Sequence, residues 1–140
     1  MIRKIFIILF TLSFTQSNLL AKTEYLQKGI DLYNKKKFEA AKFKFEQDIV
    51  FNPKSELSYL YLSRIFNKQE KKILEEQNLK TVMLLNPKNE EAIYYLTKLK
   101  LLNSDYEKSK ELNKILKSIC NNFCDQSDKL EIEIENLSKK

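Results

Sequence analysis

Phe51-Asn-Pro-Lys-Ser-Glu56 returns 34 residues later as Leu85-Asn-Pro-Lys-Asn-Glu90, and the two phrases hold the only two prolines of the 140-residue chain. Proline cannot continue a helix and biases the residue before it away from helical dihedrals. Asn52-Pro53 and Asn86-Pro87 therefore mark corners, each closing one helical unit and opening the next. The likeness runs on past the corner, pairing Tyr59 with Ile93, Leu60 with Tyr94, Tyr61 with Tyr95, Leu62 with Leu96, Ser63 with Thr97, Arg64 with Lys98 and Ile65 with Leu99. Self-similarity at such a period predicts stacked helix pairs, each covering the apolar face of its neighbour.

Working outward, composition agrees. One glycine leaves little turn chemistry for β-hairpins, while the abundant Lys, Glu, Leu and Gln favour helix. A single all-α domain is predicted. The formal net charge is +6, two of it from Arg3 and Lys4 near the start. Elsewhere Lys alternates with Glu and Asp, the pattern of a solvated surface and not of a basic face interleaved with aromatic rings, so no nucleic-acid partner is expected. The absence of histidine excludes Ser-His and Cys-His catalysis, and a lone glycine excludes glycine-rich phosphate loops. Carboxylate pairs such as Glu75 with Glu76, Glu90 with Glu91 and Glu131 with Glu135 fall on helices expected to be exposed. The expectation is no enzyme, no cofactor and no metal site.

Residues 1–21 have the three-part layout of a secretory signal peptide: basic Arg3 and Lys4, an apolar run from Ile5 to Phe14, and a polar stretch leading to small Ala21. As a helix the ten-residue run spans about 15 Å, half of a bilayer's hydrocarbon core. Cleavage is expected after Ala21, with Ser17 as the alternative. An uncleaved anchor formed by residues 5–21 stays open. No cysteine follows the apolar run, which argues against a lipid-modified terminus.

Three units follow over 22–54, 55–88 and 89–121. In the first, a helix from Thr23 to Asn34 carries Tyr25, Gly29 and Leu32 on one face, and a second helix to about Val50 carries Phe38, Ala41, Phe45 and Ile49. The turn between them is Lys35-Lys36-Lys37. In the second, Leu57, Leu60, Tyr61 and Ile65 load the first helix nearly all round, as burial between neighbours requires. Its second helix, over 70–85, has a stripe of Ile73, Leu79, Val82 and Leu85, interrupted by Glu75 where a small residue is expected. In the third, Ile93, Tyr94, Tyr95, Leu96, Leu99, Leu101 and Leu102 repeat the apolar loading, and Ser104-Asp-Tyr106 opens a helix through Leu112, Ile115, Leu116 and Ile119. Asp128 with Glu131 reads as a capping box for a terminal capping helix over 127–138.

The first unit resembles the tetratricopeptide repeat, with Tyr25, Gly29, Leu32, Phe38, Ala41, Phe45 and Pro53 in the places of its 34-residue pattern and Lys28 where a leucine is usual. The resemblance implies a right-handed α-solenoid of three helix hairpins. It also implies a concave strip for a protein or peptide partner, formed by Leu26, Ile30 and Tyr33 and their equivalents Leu60, Arg64, Asn67, Tyr94, Lys98 and Leu101. Some members of the family grip a C-terminal carboxylate with a lysine and an asparagine on the first helix. Leu26 and Ile30 stand in those places here, which argues against that mode.

Cys120 and Cys124 are the only cysteines. After export to an oxidising compartment they would form a disulfide. Two small buried thiols are the alternative. The functional expectation is an exported adaptor or assembly factor of a bacterial cell envelope, periplasmic or secreted. Its alternatives are a membrane-tethered module that self-associates and a basic surface that binds anionic envelope polymer.

Overall fold

A computed structural model of the chain describes residues 24–139. It is all-α, with seven helices among the described residues, packed as consecutive hairpins. Helix α1 covers 24–34. It is followed by α2 (Phe38–Phe51), α3 (Glu56–Lys68), α4 (Lys72–Leu85), α5 (Glu90–Leu102), α6 (Tyr106–Ile119) and α7 (Cys124–Ser138). Two compact units divide within α3, between Tyr61 and Leu62. The leader expected over 1–21 lies outside the described residues, among which no helix is long and apolar enough to cross a membrane.

In the first unit, Gly29 lets α1 and α2 approach. A Cβ there would sit 2.6 Å from the ring of Phe45. That ring is fully buried and stacks on Tyr61 at 4.9 Å, so it has no room to yield. Tyr33 meets Phe38 and Tyr61 edge-on at 5.4 and 5.0 Å. Asp48 is also fully buried, a place the sequence does not announce; Ser58 donates to it at 2.6 Å, and Ser55 donates to Ser58 at 3.1 Å.

In the second unit, Ile65, Leu79, Val82, Ile93, Leu96, Leu99, Leu112 and Leu116 are buried. The stripe expected on α4 is corrected: Glu75, Leu79 and Val82 face inward, and Ile73 is 76% exposed. Spacings of four and three put 75, 79 and 82 on one face, and residue 73 is carried some 200° round from 75. The capping box at Asp128 is corrected too. Helix α7 begins at Cys124, so Asp128 lies inside it, and Asp128 and Glu131 both pair with Lys117 instead.

The repeat is written in the backbone as well. Lys36, Glu70 and Ser104, spaced by 34, hold φ of 59°, 57° and 59°. Each follows a first helix and carries the same paired bonds: Lys37 N–H to Leu32 O with Lys36 N–H to Tyr33 O, Lys71 to Phe66 with Glu70 to Asn67, and Asp105 to Lys100 with Ser104 to Leu101. This is the Schellman ending, made here without glycine.

Candidate functional site

The structure distributes the predicted strip unevenly. In the first unit Leu26, Ile30 and Tyr33 are half-buried on α1, and Leu60 is 4% exposed. Leu60 is a core residue and offers no surface.

In the second unit three places of the strip are engaged by contacts within the fold. Leu101 is buried with Leu130 and Ile134 of α7, and Tyr94 packs against the same cluster and against Phe123 at 5.3 Å. The terminal helix covers the face that these two residues would have presented. Arg64 is held by Glu91 through two bonds, Nε to Oε1 at 2.6 Å and Nη2 to Oε2 at 2.5 Å. Its charge is matched within the unit, and a bidentate pair of this kind is the strong form of the interaction.

Asn67 and Lys98 do stand together. They line a cavity of about 500 Å³ with Glu70, Lys72, Glu75, Tyr95, Leu99 and Leu102. On α5 the side facing this cavity is therefore Tyr95, Lys98, Leu99 and Leu102, one residue round from the strip expected through Tyr94 and Leu101. Two walls are tied by Lys100 of α5, which donates to Glu76 of α4 at 2.7 Å. That bond and then the one from Lys80, at 2.6 Å, hold the Glu76 carboxyl below the usual carboxylate range.

Glu75 is the residue that strip reasoning passed over. It is 4% exposed and accepts one bond from Asn67 Nδ2 at 3.0 Å. Burial pushes its carboxyl above the usual range, outweighing the Asn67 bond and the nearby Lys72 charge. Burial and the negative charge of Glu91 likewise push the Tyr95 hydroxyl up. The sequence signal was present: a carboxylate where the hairpin wants a small residue, as Ala41 and Ser109 supply at the places 34 residues either side. No group of three or more potential metal ligands occurs among the described residues.

Cys120 and Cys124 are joined as a disulfide with Cα atoms 5.2 Å apart. Beside it the Glu90 carboxylate accepts the backbone N–H groups of Asn121, Asn122 and Phe123 at 2.9, 2.9 and 3.0 Å. This is a corner of the fold and no part of the cavity.

No protein-family model matches the sequence, and no curated protein matches it either. Solved structures do. The TPR2B domain of yeast Sti1, in its complex with pHsp70, superposes with a TM-score of 0.75 at 11% identity, covering 84% of this chain and 98% of that one. The type III secretion chaperone SycD of Yersinia enterocolitica, in complex with a peptide of the translocator YopD, gives 0.71 at 13% identity over 83% and 91%. The first TPR of Spaghetti (RPAP3), bound to the HSP90 peptide SRMEEVD, gives 0.70 at 14% identity over 86% and 92%. Likeness at this identity establishes the fold, and the fold is the tetratricopeptide α-solenoid.

Proposed function

We propose that the chain is a non-enzymatic interaction scaffold that takes a peptide segment of a protein partner against the cavity of its second unit. The observation that carries this is the cavity itself: about 500 Å³, with polar Asn67 and Lys98 set beside the Tyr95 ring and a Leu102 that is 68% exposed. Four charged side chains and Asn67 share the lining with Tyr95, Leu99 and Leu102, a mixture that suits an extended or helical segment carrying both polar and apolar side chains. Of the three similar structures two hold a peptide and one is a complex with pHsp70, which supports the reading by analogy of fold.

The reading places the scaffold outside the cytoplasm, in a bacterial cell envelope. Its support is the leader-like pattern of residues 1–21 and the disulfide, a bond that persists in oxidising compartments. Mass spectrometry of the native N-terminus tests export, with a start at Lys22 or Asn18 expected and an intact Met1 against it. Binding is tested by affinity capture from the native envelope with wild type and Tyr95→Ala. A partner retained at full affinity by a correctly folded Tyr95→Ala variant removes the cavity from the proposal.

A further inference from the structure

Glu75 occupies an inner place on α4 that a small side chain fills in the neighbouring hairpins, yet it is 4% exposed and makes no ion pair among the described residues. An isolated buried carboxylate is costly unless a cation or several donors meet it. Asn67 supplies one neutral donor, to Oε1. A carboxylate has about four acceptor directions, so most of its capacity is unused within the fold.

The unused side borders the cavity, whose volume of about 500 Å³ exceeds that of any single side chain. Tyr95, Leu99 and Leu102 line it together with Glu75 and offer apolar wall for an aliphatic stem. The other charges facing the cavity are Glu70, Lys72 and Lys98. All three are exposed, whereas Glu75 is largely buried. The lysines favour acidic neighbours on either side of whatever enters.

We propose that Glu75 is the anchor for a basic side chain, Lys or Arg, of the peptide segment bound in this cavity, with acidic residues flanking that side chain toward Lys72 and Lys98. This inference rests on the scaffold reading above and adds the chemistry of the ligand. Protonation of Glu75 would switch the anchor off, and because burial raises its affinity for a proton, binding should weaken on acidification earlier than an ordinary carboxylate would predict.

The test uses the full chain and synthetic dodecapeptide pools with one fixed central residue, Lys, Arg, Gln, Glu or norleucine, read by fluorescence anisotropy. Wild type is expected to bind the Lys or Arg pool about tenfold tighter than the Gln pool, and Glu75→Gln, which keeps an acceptor for Asn67, to lose that preference. Because Glu75→Gln removes a buried charge, it should melt at or above wild type at neutral pH, with the gap closing as acid protonates Glu75. The sign follows from a folded-state pKa above the unfolded one: protonation favours the fold, and that gain is lost as pH rises. Should Glu75→Gln fail to fold, Glu75→Ala, with the residue that Ala41 supplies in the first hairpin, is read the same way. Binding that Tyr95→Ala abolishes but that ignores the central residue and Glu75→Gln overturns the anchor and leaves the scaffold reading standing. Binding to no pool, or binding that Tyr95→Ala leaves intact, overturns both.

Discussion

Two corners of the second unit do the same job with different chemistry. Between α4 and α5 the chain turns locally: Asn86 O accepts from Asn89 N–H at 3.1 Å, Asn86 Oδ1 from Lys88 N–H at 3.1 Å, and Asn89 Oδ1 from Ala92 N–H at 2.8 Å. Proline closes the helix and asparagine caps the next. Between α6 and α7, one period on, at the third corner after those of Asn52-Pro53 and Asn86-Pro87, Cys120 stands for Asn86, Asn121 for Pro87 and Phe123 for Asn89. None of the local devices is kept. A disulfide bridges the turn, and Glu90, some 30 residues upstream, accepts the N–H groups of Asn121, Asn122 and Phe123, the last two in the places of Lys88 and Asn89, which Asn86 serves at the other corner. Phe123 is freed from capping and packs on Tyr94. The difference teaches that the repeat conserves where the chain turns, while the bonds that hold the turn can be local or long-range.

The comparison breaks most readily at the cysteines. Replacing both, Cys120→Ser with Cys124→Ser, should lower stability by about 2 kcal/mol in the chain-entropy picture of a short loop. Chemical denaturation followed by circular dichroism measures it, and amide exchange should rise at Ser127 and Leu130 before it rises at Ala92 and Ile93. Equal changes at both corners would show that the third does not depend on its bridge. At the second corner Asn89→Ala removes the cap on α5 and should cost about 1 kcal/mol. A negligible cost would mean that Pro87 alone sets that turn.

The corners explain how much was readable in advance. Two Asn-Pro phrases and their 34-residue spacing predicted the hairpins. They did not predict the start of α7. Asp128 and Glu131 have the spacing of a cap, but the carboxylate that serves that helix end comes from Glu90, and no local pattern can show a bond across 30 positions. The strip meets a similar limit. A period transfers position, so Leu101 was assigned with Tyr33 and Asn67, but it cannot say that α7 covers Leu101 or that Glu91 engages Arg64. Glu75 was visible as a misfit in the pattern, and its meaning needed the cavity.

Unlike the corners, the turns inside the hairpins are alike in all three periods, each with a side chain at positive φ. Glu70→Gly and Ser104→Gly relieve a left-handed residue, a cost of about 1 kcal/mol, against glycine's larger unfolded-state entropy. Each should therefore stabilise by about 0.5 kcal/mol, measured as a rise in the denaturation midpoint. A loss at either position would mean that its side chain contributes more than its backbone conformation costs.

The smallest effect sharpens the comparison furthest. Partial burial pushes the Glu90 carboxyl up, but the three backbone donors outweigh it and hold it below the usual range. A carboxylate with a depressed folded-state pKa contributes stability that is present above its unfolded pKa and is lost as pH falls through the folded one. Wild type should therefore be more stable than Glu90→Gln near neutrality, and the gap should narrow as pH drops from about 5 through the ordinary carboxylate range. Glu90 lies on an accessible surface, so salt should narrow the gap as well. A gap that ignores both pH and salt would mean that an amide oxygen serves the third corner as well as a charge does. The two corners would then differ only in where their acceptor comes from.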